Sequence, residues 1–284
     1  MILFKKTEDL RNWIDNQHLV VGNPGFVPTM GALHQGHVSL IKASKKKNAI
    51  TISSIFVNPA QFNDPKDFEK YPVTLEKDIL MLEEAGCDVL FLPSVKEIYP
   101  DGMSMKKHYN LGFIETVFDG KFRPGHFQGV CMVMQRLLEI VLPNRLYLGQ
   151  KDYQQCMVIT KLIELIGMRG KLEVIICPTF REPNGLAMSS RNMRLSPEEK
   201  EKASTIYKSL SMIKENIEKE NPAALKQKAH LMLEAAGLKP DYVEIVDATD
   251  LSLVYKWDAN KKTVALAAAY MNEVRLIDNM LLRL

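Results

Sequence analysis

The chain has 284 residues, of which 46% are hydrophobic and 25% charged, and its formal net charge is +3. This length predicts one large or two modest globular domains, and so small an excess of positive charge does not indicate a nucleic-acid-binding protein. No apolar stretch approaches the roughly 20 residues that a membrane-spanning helix needs, so no membrane partner is predicted.

The N-terminus and the cysteines predict a cytoplasmic protein. Met1–Lys6 places a short apolar run before its charges, which does not match a secretory signal peptide. The four cysteines lie far apart among apolar neighbours and predict buried, reduced thiols rather than paired metal ligands. They are Cys87, Cys131, Cys156 and Cys177.

Strand and helix signals alternate through the first 177 residues. Apolar and β-branched runs predict strands at Gly25–Met30, Ala49–Val57, Asp88–Leu92, Arg145–Gly149 and Leu172–Cys177. Helical spacing of apolar residues predicts helices at Glu8–Asn16, His37–Lys47, Leu75–Ala85, Gly129–Val141 and Tyr153–Ile166. Gly86 and Gly167 fall where helix C-caps belong. The alternation predicts an α/β fold, a Rossmann-like parallel sheet with flanking helices, whose ligands bind at the carboxyl ends of the strands.

The pattern changes near Pro178. Ser196-Pro197-Glu198-Glu199 combines an N-cap serine, an N-terminal proline and a capping glutamate, and predicts a helix to about Glu218. A second helix is predicted from Asn221-Pro222 to Gly237. Strands are then predicted at Tyr242–Val246, Thr263–Ala268 and Val274–Asp278. We predict a Rossmann-like domain at residues 1–177 and a smaller C-terminal α+β domain at residues 178–284.

The turn after the first predicted strand is the most informative segment. It reads Pro28-Thr29-Met30-Gly31-Ala32-Leu33-His34-Gln35-Gly36-His37 and leads into a helix. Such a turn exposes backbone N–H groups, and the helix start adds partial positive charge, as in phosphate sites. A lone histidine is more often structural, but the pair His34 and His37 favours chemistry at phosphorus. No other ligand-type residue lies nearby at metal spacing, so a zinc site is not predicted.

Two further segments carry donors suited to phosphate. Gly149-Gln150-Lys151-Asp152-Tyr153-Gln154-Gln155 closes a strand and opens a helix. Asp152 and Gln155 are also typical of a capping box, whereas a lysine just before a helix start indicates an anion ligand. Met188-Ser189-Ser190-Arg191-Asn192 offers two hydroxyls and a guanidinium, although such a run alone is common in surface loops.

The segment Phe56–Phe62 follows the second predicted strand and carries two amide side chains. Asn58 and Gln61 are either turn residues or side chains presented at the same sheet edge as His34. The sequence leaves both interpretations open.

Together these segments resemble the pantothenate synthetase, or pantoate–β-alanine ligase, family. The resemblance runs from about residue 20 to about residue 195, and the C-terminal third matches in length and pattern only. The family belongs to the nucleotidyltransferase superfamily, whose His-x-Gly-His turn is His34–His37 here and whose Lys-Met-Ser-Lys-Ser loop corresponds to Ala187–Arg191. The segments that match in order and approximate spacing are Pro28–His37, Phe56–Phe62 with Tyr71-Pro72, Tyr99–Gly102, Arg123 with His126-Phe127, Gly149–Gln155 and Met188–Arg191.

The resemblance implies a two-step ligation. ATP and pantoate give pantoyl adenylate and pyrophosphate, and β-alanine then displaces AMP to give pantothenate. It implies that His37 is the proton donor, and that Gln61, Gln155 and Met30 bind pantoate, with Gln61 also near β-alanine. The chemistry of the side chains adds His34 and Lys151 to the catalytic set, as donors to the triphosphate. The ATP-binding residues that it implies are Met30, Gly31, Ala32, Leu33, His34, Gln35, Gly36, His37, Gly149, Gln150, Lys151, Asp152, Phe180, Met188, Ser189, Ser190 and Arg191.

One departure from the family concerns Mg²⁺. Many members carry adjacent acids in the helix after Tyr71-Pro72, some of them assigned to the metal, whereas this chain has Glu76-Lys77-Asp78. Asp78 alone is therefore carried over as a magnesium ligand, with an exposed helix residue as the alternative. ATP chemistry needs a divalent cation, which the phosphates themselves can largely hold. The family further implies a homodimer and a C-terminal lid that keeps water from the adenylate.

Three other interpretations use the same turn. A class I aminoacyl-tRNA synthetase fragment would need an anticodon-binding module and more positive charge, and neither is evident, so no nucleic-acid partner is predicted. Another nucleotidyltransferase would differ in the group that triggers pyrophosphate release. A non-catalytic nucleotide-binding module does not account for donors at four separate strand ends.

Overall fold

The computed structural model describes residues 1–21, 24–103 and 107–283. The chain divides into two compact units. The first comprises Met1–Gln150 with Gln154–Pro178, and the second comprises Lys151–Tyr153 with Thr179–Leu284. The domain boundary between residues 177 and 178 stays a prediction.

Six strands in the described part of the first unit form one parallel sheet, in the order β1-β4-β3-β2-β5-β6. The predicted α/β fold with a parallel sheet is confirmed. Because β2 lies between β3 and β5, the carboxyl ends of these three strands surround the turn that follows β2. The strands are β1 (Ile2–Phe4), β2 (Gly25–Thr29), β3 (Thr51–Ile55), β4 (Val89–Phe91), β5 (Arg145–Gly149) and β6 (Glu173–Cys177).

Helices flank this sheet, and all five predicted ones are present. Three short helices, α3, α5 and α6, were not predicted because four or five residues are too few to show a helical period. Gly86 and Gly167 have φ of 82° and 72°, which confirms the predicted left-handed helix ends. The helices are α1 (Thr7–Val21), α2 (Gln35–Lys45), α3 (Pro65–Glu69), α4 (Leu75–Glu84), α5 (Val95–Ile98), α6 (Phe118–Phe122), α7 (His126–Val141) and α8 (Tyr153–Leu165).

Each face of the sheet packs against a different set of helices. Phe26 of β2 lies in a cluster with Leu10 of α1 and Phe127 of α7. The next residue, Val27, lies in a second cluster with residues of α2 and α4. Successive side chains of a strand point to opposite faces, so β2 buries apolar side chains on both faces of the sheet. This packing holds the strand ends, and the turns that follow them, in place.

The four cysteines are buried thiols that form no disulfide in the described structure, as predicted. Burial raises the pKa of Cys131 to about 12 and that of Cys87 to about 11, so these thiols stay protonated at neutral pH. Among the described residues, no helix has the length and apolar content to traverse a bilayer.

In the second unit, helices α10 (Thr205–Asn216) and α11 (Pro222–Ala235) pack against an antiparallel sheet in the order β7 (Lys239–Asp247), β8 (Thr263–Met271) and β9 (Val274–Arg283). The predicted capping box is confirmed, since the Ser196 N–H donates to Glu199 (2.7 Å) and the Glu199 N–H donates to Ser196 Oγ (3.2 Å). The single helix predicted to about Glu218 is wrong, because the helix is interrupted at Ser204. The Ser204 hydroxyl donates to the Glu201 carbonyl (2.6 Å). Helix α9 (Pro197–Ala203) precedes α10.

Helix α7 packs tightly against the loop after β3 at Gly129. A Cβ atom at this position would lie 2.1 Å from the Ala60 carbonyl oxygen and 2.8 Å from Gln61 Cα. Only glycine therefore lets the helix and the loop pack at this distance.

We expect Gly129→Ala to lower the free energy of unfolding. Alanine normally favours a helix interior by about 1 kcal/mol over glycine, but overpacking costs about 1–3 kcal/mol or more. Urea denaturation measures the difference. Gly149→Ala is the control, because no described atom lies within 4 Å of its added Cβ. A Gly129→Ala protein at least as stable as the wild type would contradict this close packing.

Candidate active site

A carboxylate holds the turn between β2 and α2. Gly31 and Ala32 have φ of 81° and 49°, so the backbone turns through the left-handed region twice in succession. The N–H groups of Ala32 and Leu33 donate to Asp78 at 2.9 and 2.8 Å, and the Thr74 hydroxyl donates to the same carboxylate at 2.9 Å. The N–H groups of Ala32 and Leu33, which the sequence predicted as phosphate donors, are thus engaged by the Asp78 carboxylate in this structure.

Asp78 lies in the first turn of α4 and is 1% exposed. The alternative of an exposed helix residue is therefore wrong, because α4 packs its N-terminal turn against the β2–α2 segment. Within the described residues, no group of three or more histidine, cysteine, aspartate or glutamate side chains could hold a metal ion. A magnesium-binding role for Asp78 stays a prediction, while the observed contacts position the turn.

The two histidines cap helix α2 reciprocally. His34 is the N-cap residue, and its Nδ1 accepts from the Gly36 N–H at 3.1 Å. His37 Nδ1 accepts from the His34 N–H at 3.3 Å, and the two ring centroids lie 4.1 Å apart. Imidazoles thus take the places of the usual serine and glutamate of a capping box.

These bonds determine which nitrogen of each ring carries the proton. Because both Nδ1 atoms accept hydrogen bonds, the neutral rings of His34 and His37 are protonated at Nε2. A helix-capping role and a phosphate-binding role are therefore compatible for both histidines. One nitrogen of each ring caps the helix, and the other is an N–H donor suited to an anion.

Gln61 follows β3 in a 3-10 helix, Pro59–Gln61, and is 9% exposed. Its Oε1 accepts from Asn58 Nδ2 at 3.1 Å, and its Nε2 lies 2.9 Å from the sulfur of Met30. The Tyr99 hydroxyl in turn donates to Asn58 Oδ1 at 2.8 Å. The side chain predicted for pantoate thus lies beside Met30, with its amide orientation set by two neighbours.

His126 holds the main chain of Gln61. Its Nδ1–H donates to the Gln61 carbonyl at 2.8 Å, and its Nε2 accepts from Arg123 at 3.0 Å. Arg123 and His126 belong to the family pattern, but the sequence assigned no role to them. No sequence signal places His126 next to Gln61, since 65 positions separate them.

The adjacent glutamines of α8 differ in their surroundings. Gln154 is 3% exposed, and its amide bonds to the carbonyls of Ile114 and Val117 and to the N–H of Asp119. Gln154 therefore anchors the segment before α7. Gln155 is only half-buried, and it keeps its predicted pantoate-binding role as a prediction.

A cavity of about 300 Å³ opens beside the β2–α2 turn. Its wall combines Met30–Ala32 and Asp78 with mainly apolar residues that follow β3 and β4. Neither histidine nor Gln61 lines it. The cavity therefore lies next to the turn without containing the imidazoles.

Several predicted site residues belong to the second unit. Lys151 follows β5 in a 3-10 helix, Gln150–Asp152, with 17% of its side chain exposed and Nζ 3.6 Å from an Asp152 carboxylate oxygen. Phe180 O accepts from the Met188 N–H at 3.0 Å, so the two residues close a loop. Ser189 Oγ accepts from the Arg191 N–H at 3.3 Å and caps a 3-10 helix, Ser190–Arg194.

Each unit thus gathers part of the predicted site. His34, His37, Met30, Gln61 and Asp78 come together in the first unit, which also contains Gly149, Gln150 and Gln155. Lys151, Asp152, Phe180 and Met188–Arg191 belong to the second. The roles of the individual residues in binding stay predictions.

We expect Asp78→Asn to lower the free energy of unfolding by about 2 kcal/mol, because hydrogen bonds to a charged group are worth about 1.5–3 kcal/mol. The new amide would also direct N–H groups toward the donors of Ala32 and Leu33. Chemical denaturation measures the loss. Glu76→Gln is the matched control, since it removes the same charge from an exposed position in the same helical turn. Equal stability of the two variants would show that Asp78 does not hold the turn.

Known proteins match the chain over its whole length. The family model described as pantoate-beta-alanine ligase matches residues 2–281. The pantothenate synthetase of Cytophaga hutchinsonii is 42% identical over 286 residues, covering 99% of each chain. That of Aquifex aeolicus is 43% identical over 284 residues, covering 98% of each chain.

Solved structures agree with the sequence relatives. The crystal structure of pantothenate synthetase from Thermus thermophilus has a TM-score of 0.92 and 37% identity, with both chains covered completely. The pantoate-beta-alanine ligase of Francisella tularensis, complexed with beta-gamma ATP and beta-alanine, has a TM-score of 0.79 and 39% identity over 99% of this chain and 98% of that one. The resemblance seen in the motifs is confirmed and extends through the C-terminal third. The chain belongs to the pantoate–β-alanine ligase family.

Proposed function

We propose that this chain ligates pantoate to β-alanine in two steps. The pantoate carboxylate attacks the α-phosphorus of ATP, forming pantoyl adenylate and releasing pyrophosphate. The β-alanine amine then attacks the acyl carbon, forming the amide bond of pantothenate as AMP leaves and the amine loses a proton. The observation that carries this proposal is the match over residues 2–281 to a family named for the ligation, with the paired-histidine turn at the carboxyl end of β2.

The histidines supply charge stabilisation in this proposal. Attack by a carboxylate on phosphorus requires positioning and charge neutralisation more than covalent help from the protein. His34 and His37 are protonated at Nε2, and these donors are suited to the oxygens of the α- and β-phosphates. Their orientation is set before ATP binds, because Nδ1 of each ring is already used by the helix cap.

The remaining phosphate donors come from the second unit. We assign Lys151, Ser189, Ser190 and Arg191 to the triphosphate. The main chain of Met30–His37, Gly149–Asp152 and Phe180, together with Met188, completes the ATP-binding set. A C-terminal unit that closes over the nucleotide would keep water from the reactive adenylate.

Neutral amides hold pantoate in this proposal. Gln61 directs Nε2 toward Met30, and an amide nitrogen carries two hydrogens, so one remains for the substrate. Gln61 also lies near the β-alanine position, and Gln155 provides the second amide. An arginine would bind the carboxylate tightly but draw charge from the attacking oxygen, whereas amides orient it and leave that charge in place.

The Mg²⁺ that accompanies ATP is held by phosphate oxygens in this proposal. Both carboxylate oxygens of Asp78 already accept hydrogen bonds, from Ala32, Leu33 and Thr74. Among the described residues, no group of three or more histidine, cysteine, aspartate or glutamate side chains could hold the ion, so Asp78 is the one protein ligand carried over beside the phosphates. We also propose that the protein is a homodimer in the cytoplasm.

Two measurements test the reaction itself. Pantoate should stimulate exchange of labelled pyrophosphate into ATP without β-alanine, and adding β-alanine should increase AMP release. Folded protein that shows no pantoate-dependent exchange would overturn the proposal.

We expect His37→Ala and Lys151→Ala each to slow adenylation by about 10²–10³-fold, the usual cost of one preorganised donor. Single-turnover formation of pantoyl adenylate measures this step. His230→Ala and Lys161→Ala are matched controls at partly exposed helix positions, where the His230 and Lys161 side chains are 45% and 43% exposed. Adenylation near the wild-type rate in either active-site variant would remove that residue from the mechanism.

We expect Gln155→Arg to slow adenylation more than it weakens pantoate binding, because the guanidinium would stabilise the ground-state carboxylate. Pantoate affinity is measured by calorimetry and adenylation by rapid quench. Rapid adenylate formation by this variant, with pantoate binding alone impaired, would contradict the role assigned to the neutral amide.

A further inference from the structure

Two neighbouring residues of β9 each bind one of the phosphate-binding segments in the second unit. Asp278 reaches the loop that carries Ser189–Arg191, and Asn279 reaches the main chain at Lys151. Both are buried, with exposures of 4% and 2%. Burial of adjacent polar residues in an edge strand is unusual unless each has a partner.

Asp278 acts through Arg181. Arg181 donates to the two carboxylate oxygens at 2.6 and 3.1 Å, a bidentate pair that fixes the guanidinium plane. The same guanidinium donates to the Gly185 carbonyl at 3.1 Å and lies 4.4 Å from the centre of the Tyr207 ring. Burial raises the pKa of the Asp278 carboxyl, and Arg181 opposes that rise.

Arg181 stands at the base of the loop that leads to the Ser-Ser-Arg segment. It forms an isolated β-bridge with Ala187, and the neighbouring Met188 N–H donates to the Phe180 carbonyl at 3.0 Å. Asn192 closes the far side by donating to Ala187 O and to Glu182 at 3.1 and 2.9 Å. The position of Arg181 therefore sets that of residues 188–191.

Asn279 acts on the other segment. Its Nδ2 donates to the Lys151 carbonyl at 2.9 Å. Close by, the Tyr153 hydroxyl donates to the Ala248 carbonyl at 2.7 Å. These bonds connect both ends of the Lys151–Tyr153 segment to the rest of the second unit.

The strand itself keeps these two contacts at a constant separation. Adjacent residues of a strand direct their side chains to opposite faces, so Asp278 and Asn279 reach different segments from a single stretch of backbone. β9 pairs with β8 from Thr263 to Met271, which holds that backbone in register. The Asn279 N–H also donates to Asp278 Oδ1 at 2.8 Å.

We infer that Asp278 and Asn279 are positioning residues for adenylation, which together set the spacing between Lys151 and the Ser189–Arg191 segment. This inference rests on the proposed function, in which both segments bind the triphosphate. Neither residue contacts the reacting atoms in this role. Loss of either contact displaces one set of phosphate donors relative to the other.

The two half-reactions depend on this spacing differently. Adenylation needs donors along the whole triphosphate until pyrophosphate departs, whereas aminolysis starts from an adenylate with a single phosphate. A displacement of about 1 Å can cost up to roughly 100-fold in rate. The inference therefore predicts a selective loss in the first half-reaction.

The experiment compares Asp278→Asn and Asn279→Ala with the full-length wild type in both half-reactions. Adenylation is followed as pantoate-dependent ATP–pyrophosphate exchange, and aminolysis as AMP release from isolated pantoyl adenylate with β-alanine. We expect kcat/KM for ATP in the exchange reaction to fall by about 10- to 100-fold and aminolysis to change by less than about threefold. If Asp278→Asn does not fold, Arg181→Lys replaces it, because lysine keeps the charge but loses the bidentate geometry.

Asp241→Asn is the matched control. Asp241 pairs with Arg275 of β9 at 2.7 Å, and both side chains are 13% exposed, so this pair is a half-buried ion pair in the same sheet. It should lose thermal stability as Asp278→Asn does while exchanging pyrophosphate within about twofold of the wild type.

The outcomes separate this inference from the proposed function. A wild-type chain that shows no pantoate-dependent exchange would end the proposed function itself. An active wild type whose Asp278 and Asn279 variants exchange pyrophosphate normally would overturn the positioning role alone. Equal losses in both half-reactions, or the same exchange defect in Asp241→Asn, would also overturn it, since both indicate a general structural effect.

Discussion

The hydrogen bonds from the Ala32 and Leu33 amides to the buried carboxylate of Asp78 are the constraint on which the first half of the site depends. Two successive left-handed residues cannot be maintained by local preference alone, because Ala32 has a Cβ atom that disfavours this conformation. The carboxylate offsets that cost with charge-assisted bonds to the amides that the turn presents. The direction in which α2 leaves the sheet, and with it the position of both imidazoles, follows from this arrangement.

The same arrangement changes the chemical character of the turn. A glycine-containing strand–helix turn usually offers its backbone N–H groups to phosphate. Here several of those groups are satisfied within the protein, by Asp78 and by the Nδ1 atoms of His34 and His37. In the proposed function, the imidazole Nε2 donors take the place of these backbone donors. This exchange places the donors farther from the main chain and preorganises them, because each ring is already fixed at its other nitrogen.

Buried polar side chains hold the groups that are proposed to face the substrates in the rest of the molecule. Gln61 depends on Asn58, which depends on Tyr99, and its main chain depends on His126. In the second unit, Asp278 and Asn279 stand behind Arg181 and Lys151 in the same way. Such supporting residues are buried and hydrogen-bonded, so their loss displaces the side chains that they hold more than it changes the charge of those side chains.

The sequence alone determined the alternation of strands and helices, the identity of the phosphate-type turn and the family resemblance, because hydrophobic periodicity, caps and turn residues are local signals. It reproduced the bounds of β5 and the capping box at Ser196. It did not reveal the short helices or the break at Ser204. The burial of Asp78, the Nε2 tautomer of the histidines and the partnership of Asn279 with Lys151 were decided only by the tertiary structure. Asp78 and Asn279 each join groups whose proximity is set by packing against a distant element, and no spacing along the chain encodes that proximity. The tautomers follow from the orientation of the two rings within the cap at His34–His37, which the residue pattern does not specify.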